Sequence, residues 1–195
     1  MQTKRLLAHI ALVLALAQLL LLLVSWLYSA AFPASQVHSL LSGEGIRWFF
    51  GHYADLLASP LLVYIVLLSM AWGSVARCGI IGAGSSYRER RAHIIAALYL
   101  LAYISVVLLM TLVPHAVLLS ATGALWPSPF SASIVPVTAF GVLSAAVLYG
   151  TVAGTFQSLA DIYESLLLGI RQSAPLLLFY VLLAQFYYSL RFVFG

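Results

Sequence analysis

Residues 7–28 read LAHIALVLALAQLLLLLVSWLY, an apolar run that no water-facing helix can hide. About 20 such residues are what a helix needs to cross a bilayer, at ~1.5 Å per residue over a ~30 Å core. Four further runs of this kind follow, at 60–76, 92–119, 134–154 and 174–194. Strands of a membrane barrel would alternate with period two over about ten residues, and LLLLLV does not alternate. Helix is the remaining solution, because backbone groups in lipid must bond within their own segment. Composition agrees: 64% of the chain is hydrophobic, 7% is charged, and mean hydropathy is +1.07. The sequence therefore predicts an all-α, polytopic membrane domain over 1–195, with about five transmembrane helices.

The polar joints set the expected orientation. Lys4, Arg5, Arg77, Arg88, Arg90, Arg91 and Arg171 fall on one side of such a bundle, and Arg47 and Arg191 on the other. Basic residues accumulate in cytoplasmic loops, so the N-terminus is expected inside and the C-terminus outside. The net charge of +4 then reflects topology and implies no nucleic-acid partner; the expected partner is the bilayer. The basic start and the small residues near 29–31 imitate a signal peptide. The apolar run is about twice the usual 7–15 residues, so a retained anchor is expected. Cys78 is the only cysteine, which rules out an intrachain disulfide.

Two segments between the runs have amphipathic character. In 29–59, Leu40, Leu41, Ile46, Trp48, Phe49, Phe50 and Tyr53 alternate with Glu44, Arg47, His52 and Asp55, which predicts a helix at headgroup level. In 155–173, Leu159, Ile162, Leu166 and Ile170 form an apolar stripe, and Asp161, Glu164 and Arg171 lie off it. A second surface helix is expected there, with Pro175 turning the chain into the last span. Gly79, Gly82 and Gly84 break the helix before the arginine cluster. The loop near 118–133 is uncharged and rich in Ser and Pro. Pro136 is expected just inside the fourth span, where its missing N–H costs little. Ala146, Gly150 and Gly154 form a small-xxx-small stripe on that span, which allows close helix packing within the chain or between copies.

Three stretches carry a family resemblance: LLSGEGIRWFF with SVARCGII, then SPFSASIVPVTAFGVLSAAVLYGTVAGTFQSLADI, then AQFYYSL. Together they resemble the bacterial p-aminobenzoyl-glutamate transporter (AbgT) family, over roughly 40–82 and 126–190 and in family order. Members of that family are more than twice as long, and 84–91 stands here where they carry two helices and a re-entrant hairpin. The resemblance implies a reduced form that keeps the family scaffold without the hairpins that hold substrate and coupling ion. No ligand residue of the family is carried onto a position of this chain. The resemblance also implies transport-related function, as a partner subunit or an oligomer, with a non-transporting scaffold protein as the alternative. A homodimer is expected, with the Ala146, Gly150 and Gly154 stripe at or near a packing seam.

Ionisable and amide groups within the spans are few. His9 falls beside Lys4 and Arg5 at the interface, and His115 lies near the end of the third span. Gln18 and Gln185 fall near mid-bilayer, where an amide needs a partner. No Asp or Glu lies at mid-depth in any span, which argues against a proton pathway within this chain. His38, Glu44, His52 and Asp55 are metal-ligand types, but their spacing fits no metal motif. No dinucleotide fingerprint, GxSxG or HExxH is present, so neither an enzyme nor a cofactor is expected. Glu44 and Arg47 are spaced to pair on the amphipathic helix, and with Trp48 they are expected to cap the bundle.

Overall fold

The computed structural model of the chain describes residues 2–33, 37–80, 86–112 and 128–195. Among these there are six helices and no strand: α1 Gln2–Ala31, α2 Gly43–Leu57, α3 Pro60–Cys78, α4 Tyr87–Leu112, α5 Pro129–Ala153 and α6 Leu159–Phe194. Five stretches are long and apolar enough to cross a membrane: Arg5–Ala31, Gly43–Cys78, Tyr87–Thr111, Phe130–Ala153 and Leu159–Phe194. Large apolar side chains point outward along them, as Leu20, Leu101 and Phe140 do at 60% exposure or more. In water that surface would be untenable; in lipid it is solvated. The protein is an all-α, multi-pass membrane protein. His115, Gly82, Gly84 and most of the Ser/Pro loop lie outside the described residues.

Local sequence explains the helix ends. Ser42 caps α2 by accepting from the Gly45 N–H at 3.0 Å, and Glu44 sits in the first turn, where the helix dipole favours a carboxylate. Ser128 and Ser131 form a reciprocal capping box at the start of α5, with Pro129 in the first turn. Ser158 and Asp161 do similar work ahead of α6: the Asp161 carboxylate accepts from the backbone N–H groups of Gln157 and Ser158. Gly79 leaves α3 at φ 85, and Gly154 leaves α5 at φ 83, conformations that L side chains rarely adopt.

Two prolines sit differently from the sequence expectation. α5 begins at Pro129, so Pro136 is inside the helix and not in its first turn. Its missing N–H leaves the Ala132 carbonyl without the usual helical donor, and the Tyr64 hydroxyl donates to that oxygen at 3.2 Å. Pro175 does not turn the chain between a surface helix and a span, because α6 runs without interruption from Leu159 to Phe194. Proline within a membrane helix removes one hydrogen bond and is tolerated when neighbours compensate.

The chain divides into two units, one of Met1–Val63 with Ala174–Gly195, the other of Tyr64–Ser173. In the first, α1, α2 and the C-terminal part of α6 pack together. The amide Nε2 of Gln18 donates to Ser189 Oγ at 2.9 Å, Tyr180 donates to the Leu57 carbonyl at 2.8 Å, and the His38 N–H donates to the Val193 carbonyl. In the second, buried Cys78, Ala92, Ala96, Ala146, Tyr149 and Phe156 form the core. There the C-terminal part of α3 runs antiparallel to the start of α6. A Cβ on Gly73 would overlap backbone of Ser165 and Gly169, and one on Gly169 would overlap the Ser69 carbonyl. Ser74 and Ser165 are fully buried at the same crossing, with their hydroxyls 3.4 Å apart. Small residues four apart on both helices permit this approach, whose gain in lipid is van der Waals packing. Residues 159–173 are therefore packed on α3 instead of forming a separate surface helix.

Candidate functional site

The turn before α2 is built for close approach. Ser42 Oγ donates to the Ser39 carbonyl at 2.7 Å, and a Cβ on Gly45 would overlap Ser39 and Leu40 backbone. Only glycine fits there, which explains the Glu44–Gly45 pair. Leu40 is buried, and its N–H meets the buried Ser25 hydroxyl of α1. Anchored in this way, α2 directs Glu44, Trp48 and Leu56 to one side, following helical spacing.

Those side chains face the C-terminal part of α6. Trp48 stacks on Phe192 with ring centroids 4.4 Å apart and planes 24° apart, and His38 tilts against the same Phe192 at 5.7 Å. Between them lies a cavity of about 420 Å³ lined by His38, Glu44, Trp48, Leu56, Tyr188, Arg191, Phe192 and Gly195. It combines a carboxylate, a guanidinium, an imidazole and a phenol with an aromatic wall. Neither Glu44 nor Arg191 enters an ion pair among the described residues. Two opposite charges left unpaired beside stacked rings are an arrangement suited to a ligand that has an aromatic body and ionised ends.

The expected pairing of Glu44 with Arg47 is not formed. Arg47 Nε donates to the Gly43 carbonyl one turn back at 3.0 Å, and Glu44 turns into the cavity. The backbone acceptor within reach removes any need for the carboxylate. Of the three residues expected to cap the bundle, Glu44 and Trp48 line this cavity and Arg47 does not. His52 stays on α2, its Nδ1–H donating to the Trp48 carbonyl, and His9 does the same to Arg5.

Gln18 and Gln185 come together elsewhere in the same unit, at an apolar cavity of about 330 Å³ that also takes Ile46, Phe49 and Phe50 from α2. Gln18 lies near the middle of α1, so α2 reaches well below the end of that helix. The Gln18 Oε1 is buried without a partner, and Gln185 makes no hydrogen bond among the described residues.

Ala146, Gly150 and Gly154 are covered by their own chain. Ala146 is buried in the core of the second unit, the Phe156 ring fills the space over Gly150, and the Arg88 guanidinium lies over Gly154. Arg88 Nε also donates to the Val152 carbonyl at 3.0 Å, closing the C-terminal end of α5. Nearby, Thr155 donates to the Cys78 carbonyl at 2.8 Å, and Arg77 pairs with Glu164 at 2.7 Å.

Sequence reasoning missed His38, Tyr188, Arg191 and Phe192 as members of one site. The signal available was symmetry of composition: YYSLRFVF carries an arginine among aromatics, as GIRWFFGHY does. It also missed the Gly73 and Gly169 crossing, although Ser69-xxx-Gly73 and Ser165-xxx-Gly169 repeat the small-xxx-small pattern of α5.

No curated protein and no solved structure matches the chain. A family model does: the AbgT putative transporter family matches residues 84–192, more than half of the chain. The matched segment takes in α4, α5 and nearly all of α6, including Tyr188, Arg191 and Phe192, and leaves His38, Glu44 and Trp48 outside. The early resemblance over 40–82 therefore lies outside the match, and the later one over 126–190 lies within it. The five apolar stretches of membrane length agree with a membrane transporter fold, and on the match over residues 84–192 the chain belongs to the AbgT transporter family.

Proposed function

We propose that this membrane protein is transport-associated and takes an aromatic dicarboxylate of the p-aminobenzoyl-glutamate type at the cavity between α2 and the end of α6. The supporting observation is the pair of unpaired charges, Glu44 and Arg191, set beside the stacked Trp48 and Phe192 rings. Arg191 with His38 would take a ligand carboxylate, the rings would take the benzoyl body, and Glu44 would accept from an aromatic amine. In this reading the protein works in the bacterial inner membrane, N-terminus inside, as a homodimer or beside a complementary membrane subunit.

The test is titration of the purified chain in nanodiscs with p-aminobenzoyl-glutamate, read by tryptophan fluorescence. Quenching is expected, absent in Trp48→Phe and weakened about tenfold or more in Arg191→Gln, the scale of a lost charged hydrogen bond. No binding at millimolar ligand would overturn the substrate assignment and leave the scaffold reading, in which the chain transports nothing itself. Oligomer size in the same nanodiscs tests the assembly: a monomer alone would remove the homodimer.

A further inference from the structure

The second unit carries a groove that the reading above does not use. It is about 260 Å³, set among α3, α4 and α5, and lined by Val75, His93, Ala97, Leu100, Val142 and Ala145 among others. Its walls are apolar and largely small, and its one ionisable lining group is His93. Ala97, His93 and Val142 are exposed, so the groove opens sideways onto the surface that faces lipid. In a bilayer an acyl chain is the species at hand to fill it.

The end of the groove is what makes it selective. His93, Ala97 and Leu100 share a face of α4, and Arg90 lies on that face one turn earlier. Helical side chains lean toward the N-terminus, so Arg90 extends away from the apolar part of the groove. Arg90 and Arg91 are exposed and form no ion pair among the described residues. Arg88 is engaged with the Val152 carbonyl, and Glu89 has one carboxylate oxygen buried without a partner. The solvent-facing charge at this end of α4 is therefore positive, at the level where an apolar groove gives way to polar surface.

We propose that this groove binds one anionic phospholipid, its acyl chain along Ala97, Leu100, Val142 and Ala145 and its phosphate at Arg90 with His93 and Arg91. Basic groups next to the membrane attract anionic headgroups by about 1 kcal/mol each, or roughly fivefold in occupancy. The ligand is a lipid and not a free anion, because the apolar walls give a bare phosphate nothing to contact.

Native mass spectrometry of the full chain released from nanodiscs of equal phosphatidylglycerol and phosphatidylcholine tests this. Wild type should retain one phosphatidylglycerol in preference to phosphatidylcholine. Arg90→Gln should lower that preference about fivefold, and Arg90→Gln with Arg91→Gln by more, while total lipid retained stays the same. Ala97→Phe should fill the groove and reduce retention of both lipids, with thermal stability and Ala97→Leu reporting whether the fold survives. Equal retention of the two lipids by wild type would overturn the proposal. So would undiminished phosphatidylglycerol retention in a folded Ala97→Phe, since the lipid would then be held by surface charge alone.

Discussion

Pro136 shows how a single residue can look harmless in sequence and still require a specific partner. Placed in a first turn, it would cost nothing; placed eight residues into α5, it strips the Ala132 carbonyl of its donor, and Tyr64 supplies one from α3. Tyr64→Phe is therefore expected to cost about 0.5–1.5 kcal/mol, the net worth of one such bond. In Pro136→Ala, where a backbone N–H returns, the same change should cost less; equal costs in both backgrounds would sever the link. The two mid-span glutamines invite an opposite pair of expectations. Gln18 holds Ser189, so Gln18→Leu should lower stability by about 0.6 kcal/mol, typical of a hydrogen bond between membrane helices. The Gln185 side chain forms no hydrogen bond among the described residues, so Gln185→Leu should leave thermal stability unchanged or raise it. The sequence identified both amides as needing partners but carried no information on which helix would provide them, since that depends on rotation about α1 and α6.

At the scale of elements, each hydrophobic run overlaps a helical stretch long and apolar enough to cross a membrane, because length and polarity are one-dimensional properties. What they left open was how helices pair. Small-xxx-small is present on α5, α3 and α6 alike, and it signals only that a backbone face is bare. On α5 that face receives side chains, the Phe156 ring and the Arg88 guanidinium; on α3 and α6 it receives another backbone. The distinction predicts different responses to substitution. At Gly169 the neighbour is the Ser69 carbonyl, which cannot swing aside, so Gly169→Val should separate the helices and cost about 1–3 kcal/mol or more. At Gly150 the neighbour is an aromatic ring, and Gly150→Ala should be milder once Phe156 shifts. Thermal unfolding of both variants in one detergent checks the ordering; Gly150→Ala as damaging as Gly169→Val would mean that Phe156 is locked. The same reasoning explains why the end of 155–173 escaped sequence reading. An apolar stripe opposite charges fits a surface helix and also fits a helix lying on α3, and only Gly169 and Ser165 separate the two.

For the molecule as a whole, the remaining physical lever is charge. Five apolar stretches of membrane length commit the chain to the bilayer but leave its sense undecided, since apolar runs read alike in both directions. Basic residues break that symmetry, because cytoplasmic joints collect Lys and Arg. In the second unit, the C-terminal end of α3, the N-terminal end of α4, the C-terminal end of α5 and the N-terminal end of α6 bring together Arg77, Arg88, Asp161 and Glu164. That convergence, with the exposed Arg90 and Arg91 beside it, marks one polar end of the second unit, and the positive-inside rule makes it the expected cytoplasmic end. Arg47, on α2, is expected by the same rule on the outer side. A membrane-impermeant thiol reagent applied from outside should therefore label Gly43→Cys, at the start of α2, where a new side chain meets nothing within 4 Å, and should miss Ser86→Cys. Cys78 is buried and reports no background, and a Cys78→Ser parent removes it altogether. Both probes should label after the membrane is permeabilised, which separates sidedness from burial. Labelling of Ser86→Cys alone from outside would invert the molecule and turn the arginine-lined end of α4, with its groove, toward the outer leaflet.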